Sequence, residues 1–76
     1  DFSYVIKIAD FYYKESAILL KKRILDELKV KNVKINKISS TNHRVFLGPF
    51  DNLKTLKKAF DDITPLNFEN IEIIKL

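Results

Sequence analysis

Residues 44–50 read Arg-Val-Phe-Leu-Gly-Pro-Phe, an alternating run that meets a Gly-Pro pair. Side chains alternate across a strand, so Val45 and Leu47 are expected to face a core while Arg44 and Phe46 share the other face with Asn42. Glycine tolerates positive φ, and proline fixes φ and lacks an N–H, so the strand is expected to stop at Gly48–Pro49. Asp51 then stands where it can cap a helix.

Working outward, Tyr4–Ile8 alternates as a strand, with Tyr4, Ile6 and Ile8 on one side and Val5 and Lys7 on the other. Residues Glu15–Lys29 carry Ala17, Leu20, Ile24 and Leu28 at helical spacing. Val33–Ser39 is β-rich, and Ser40-Thr41-Asn42 supplies turn residues, which gives an antiparallel hairpin with the run from Arg44. Asp51–Ile63 reads as the second, shorter helix, with Leu53, Leu56, Phe60 and Ile63 inward and Pro65 ending it. Ile71–Leu76 closes the pattern as a strand.

The order β-α-β-β-α-β predicts an α+β fold of the ferredoxin-like, RNP-like kind: a four-stranded antiparallel sheet with two helices on one face. The free sheet face is then the default binding surface. At 76 residues, 46% of them hydrophobic, the chain makes one small domain with a single core.

With no cysteine and one histidine, the sequence holds neither a disulfide framework nor the ligands of a zinc site. The longest apolar run, Ala17–Leu20, is far short of the roughly 20 residues that span a bilayer. The net charge of +4 favours anionic partners. Its excess is almost all lysine, and twelve lysines with six asparagines also match the bias of an AT-rich genome.

No catalytic apparatus is legible. Asp26-Glu27 and Asp61-Asp62 are neighbours on helices. Side chains there diverge by about 100°, so neither pair can flank a scissile bond as glycosidase carboxylates must. There is no serine elbow and no glycine-rich phosphate loop. His43 has inward parity beside Val45 and reads as a packing residue. Tyr12 and Tyr13 read as packing over the first helix end, and Phe11 as core.

The run Arg44-Val45-x-x-Gly48-Pro49-Phe50, set between a hairpin and a helix, resembles the second half of a SPOR (sporulation-related repeat) domain, and the likeness covers Tyr4 to Lys75. In that family the opening strand ends in a Gln-x-Gly-Ser-Phe-like run, followed by a helix carrying an alanine. Here Lys7-Ile8-Ala9-Asp10-Phe11 and Ala17 occupy those places, so Lys7 replaces the sheet-face glutamine and Asp10 the serine.

The resemblance implies a non-catalytic, cofactor-free, monomeric module that binds peptidoglycan glycan strands denuded of stem peptides. It implies a place at the septum, in the periplasm of a bacterial envelope, as part of a larger protein such as an amidase or lytic transglycosylase. It implies neither nucleic acid nor membrane insertion. The start on Asp1, directly before a strand pattern, agrees with a segment of such a protein.

The expected glycan contacts are Arg44, Lys7, Asp10, Asn42, Phe46 and Ile74. The planar fork of Arg44 suits a carboxylate or adjacent sugar hydroxyls. Lys7 either donates to ligand or pairs with Asp10, and Asp10 alternatively caps the first helix. Asn42 stands where several family members carry a stacking aromatic; Phe46 takes over part of that role, with Ile74 and Val5 completing an apolar patch. Two other readings stay open: an RRM-like RNA-binding sheet, which the single aromatic among His43–Leu47 disfavours, and a ferredoxin-like protein-interaction domain.

Overall fold

A computed structural model describes residues 1–76. Strand β1 spans Tyr4–Phe11, helix α1 Lys14–Glu27, β2 Val33–Ser39, β3 Asn42–Phe50, α2 Leu53–Asp62 and β4 Glu72–Lys75, with a 3-10 turn at Thr64–Leu66. The strands form one antiparallel sheet in the order β2-β3-β1-β4, and both helices pack on the same face, as in the ferredoxin-like arrangement. No helix is long and apolar enough to cross a membrane.

The core follows the alternation. Ile6, Ile8, Val33, Val45 and Leu47 point from the sheet toward Ala17, Ile24, Leu56, Ala59 and Ile63 of the helical layer. His43 is buried in the same layer, opposite Phe11 in register.

Four boundaries and orientations differ from the sequence reading. Strand β3 does not stop at Gly48–Pro49. It runs on to Phe50, which pairs with Tyr4, and the register shift between Tyr4 and Ile6 absorbs the Gly-Pro step as a bulge. Gly48 has φ +115, and a Cβ there would lie 3.0 Å from the Phe50 ring and 3.1 Å from the Tyr4 carbonyl oxygen, so glycine is required both by conformation and by space.

The cap of α2 is Asn52 rather than Asp51. Thr55 N–H donates to Asn52 Oδ1 at 2.9 Å, while Asp51 accepts from the Asn52 side-chain amide. Leu53 and Phe60 are not inward. They are 65% and 37% exposed, whereas Leu56, Ala59 and Ile63 form the buried stripe of that helix.

Finally, Asp10 lies inside β1 rather than after it, and α1 begins at an N-cap Tyr13 with no side-chain cap bond. Asp10 therefore does not cap the helix. A second bulge, between Lys7 and Ala9, explains its orientation: Ile8 is buried and Ala9 packs on the core, so the alternation is reset. Lys7 and Asp10, three apart, end on the same free face.

Candidate functional site

Register across the sheet sorts the free face into rows. One row holds Asn36 of β2, Arg44 of β3 and Asp10 of β1; the next holds Lys34, Phe46, Lys7 and Glu72 of β4. Beyond them Val5 pairs with Ile74 beside the Gly48–Pro49 bulge. The face thus grades from polar at the hairpin end to apolar at the other.

A groove of about 300 Å³ follows this gradient, lined by Arg44, Phe46, Val5 and Ile74 together with Lys34, Asn36, Ile38, Pro49 and Leu76. Its lining comes from all four strands, a width of about 14 Å at the usual strand spacing of about 4.8 Å. Of the expected contacts, Arg44, Phe46 and Ile74 meet here.

Lys7 and Asp10 do not line the groove. They border a separate recess with Phe68, Glu69 and Asn70, where β1 extends past the end of β4. The half-buried Asn42 lies outside the groove, and its side-chain oxygen is buried without a hydrogen-bond partner. Tyr12 and Tyr13 do not cover the helix end; both are exposed and meet each other edge to face at 4.8 Å.

The charges of the face are tied to one another. Arg44 donates from Nε to Asp10 Oδ1 at 2.8 Å and from Nη2 to Asp10 Oδ2 at 3.0 Å, a two-pronged pair with side chains about a quarter exposed, 26% and 28%. Lys7 Nζ donates to Glu72 Oε1 at 2.9 Å and lies 3.9 Å from Asp10. Both cations read as ligand contacts therefore already hold carboxylates. The guanidinium keeps N–H groups beyond those it gives to Asp10, and the carboxylate keeps lone pairs. Donor and acceptor stand side by side in a fixed plane, the arrangement that matches adjacent hydroxyls.

The Arg44 hydrogen bond is the main reason the Asp10 carboxyl titrates below its ordinary value of 3.8; burial opposes it, and the charges of Arg44 and Lys7 add to it. The same hydrogen bond raises the Arg44 guanidinium, against the effect of burial. A carboxyl lowered by folding stabilises the native state above its unfolded value and loses that contribution as pH falls through the folded one. The unfolding midpoint in urea is accordingly expected to drop between pH 5 and pH 2.5 by more in the wild type than in Asp10→Asn. Equal drops would show that the pair adds nothing to stability.

Five groove residues are missing from the sequence reading: Pro49, Leu76 and, from β2, Lys34, Asn36 and Ile38. For Lys34 and Asn36 the signal was present. Val33 and Ile35 inward leave Lys34 and Asn36 outward, next to Phe46 and Arg44 once the hairpin is paired.

Comparison with protein-family models, with curated proteins and with solved structures found no match to this chain at any of the three levels.

Proposed function

We propose that this domain is a glycan-binding module whose ligand lies across the free sheet face, and that the ligand is peptidoglycan stripped of its stem peptides. The observation that carries the reading is the groove itself: an apolar floor of Val5, Phe46 and Ile74 with Arg44 at one end, its guanidinium held from behind by Asp10 outside the groove. Sugar rings offer apolar faces and rims of hydroxyls, which call for this combination of flat hydrocarbon contact and paired donors and acceptors.

The ligand's identity and the setting rest on the SPOR-like run from Arg44 to Phe50. In that reading the domain carries no catalysis of its own. It directs a larger envelope protein to the division septum in the periplasm.

Co-sedimentation tests this directly. The purified domain is mixed with intact sacculi, with sacculi treated with an amidase that removes stem peptides, and with poly-U RNA in a separate arm. The expected result is enrichment on the stripped sacculi over the intact ones and no retention by RNA. Absence from both kinds of sacculi would overturn the proposal, and preference for RNA would reassign the face to nucleic acid.

A further inference from the structure

The chain's charge is segregated in a way the overall value of +4 conceals. Residues 28–50 contain Lys29, Lys31, Lys34, Lys37 and Arg44 and not one acidic residue, so nine cations face ten acids in the rest of the sequence. This acid-free segment is the β2–β3 hairpin and its approach, one edge of the sheet.

Within it Arg44 is neutralised by Asp10, and Lys31 donates to the Leu25 carbonyl oxygen. Lys29, Lys34 and Lys37 form no ion pair. Lys34 alone of these three lines the groove, opposite Phe46 in register. The groove thus has at its polar end an arginine already neutralised by Asp10, and one uncompensated cation at its β2 margin.

We infer that Lys34 is the anion-recognising residue of the groove, and that it takes a carboxylate carried by the glycan strand. The inference rests on the glycan reading of this face and deepens it. Arg44, the obvious candidate for that carboxylate, is occupied by Asp10, and Lys7 by Glu72; a ligand acid would have to displace an internal one. Lys34 has no such competitor, and an ammonium on a flexible stem reaches a substituent on a sugar without a fixed geometry.

A carboxylated polysaccharide fits better than a nucleic acid. Single-stranded nucleic acid is held by successive aromatic stacking platforms along a basic groove, and this groove has one aromatic, Phe46. Stem-peptide-free glycan carries the lactyl carboxylate that amide cleavage uncovers.

Affinity is measured by titration calorimetry with two probes: stem-peptide-free glycan oligosaccharide, and the same oligosaccharide with its carboxylates reduced to alcohols. The wild type is expected to bind the carboxylated probe about fivefold more tightly than the reduced one, the upper range for a surface ion pair. Raising salt from 50 to 200 mM narrows the gap by screening.

Lys34→Gln should erase the gap, bringing the ratio of the two affinities to about one. Lys54→Gln, which removes an unpaired charge from α2, should keep both values. A gap that persists in Lys34→Gln, or a wild type that binds the two probes equally, overturns the assignment of Lys34 and leaves glycan binding standing. A folded wild type that binds neither probe overturns the glycan reading and this inference with it.

Discussion

Val45→Asp is expected to abolish the cooperative unfolding transition and the dispersed amide spectrum of the folded domain. Val45 is fully buried in β3, between Ile35 of β2 and Ala9 of β1. Removing the valine forfeits about 1.5–3 kcal/mol of burial. Placing a carboxyl there adds several kcal/mol more, whether it stays charged or takes up a proton. A 76-residue domain has a total stability of about 4–11 kcal/mol at about 0.05–0.15 kcal/mol per residue. The two sums are comparable, so the variant populates the unfolded chain. Asn36→Asp, one strand away but on the free face, is the control and should stay folded. A folded Val45→Asp, judged by circular dichroism and urea titration, would mean that β3 does not present Val45 to the core.

The second large effect is expected from Arg44→Ala in the binding assay. The fork offers charge-assisted donors to hydroxyls, each worth about 1.5–3 kcal/mol when the group is shielded, so its loss should weaken binding to stripped glycan by about tenfold or more. Arg44→Lys restores charge without the planar fork and is expected to recover little. From the sequence, Arg44 reads as a simple exposed residue whose removal shifts stability by only about 0.5 kcal/mol.

The structure changes that expectation. Taking away Arg44 strips Asp10 of its two-pronged partner and leaves Lys7 at 3.9 Å as its nearest cation, and the cost rises to about 1 kcal/mol, discounted for the partial exposure of the pair. Stability by urea titration and affinity by calorimetry therefore move by different amounts. An unchanged affinity would remove Arg44 from the site.

What the sequence carried well was everything encoded in simple alternation. Val45 and Leu47 against Arg44 and Phe46, and the bounds of Val33–Ser39, follow from period two and a polar turn, and the β-α-β-β-α-β order follows from them. What it hid were the places where period two breaks.

The bulge after Lys7 turns Asp10 onto the free face and into the reach of Arg44, a residue 34 positions away. Nothing local announces it, because Ile8 and Ala9 are both compatible with either face. The bulge at Gly48–Pro49 has a visible cause, but the same two residues also serve as a strand stop. In α2, helical spacing put Leu53, Leu56, Phe60 and Ile63 inward; Leu56 and Ile63 are buried, while Ala59 takes the inward place expected of Phe60, one residue away on so short a helix. The outward parity of Lys34 beside Phe46 was legible; what the sequence hid is that Lys34 stays without an ion partner while Arg44 and Lys7 gain theirs from distant strands.

Binding on the free sheet face is read residue by residue in an amide chemical-shift titration of the labelled domain with stem-peptide-free glycan oligosaccharide. The perturbed amides are expected to map to the four strands around Val5, Lys34, Arg44, Phe46 and Ile74, with α1 and α2 unchanged. Perturbations confined to the helical layer, or none at saturating glycan, would contradict it.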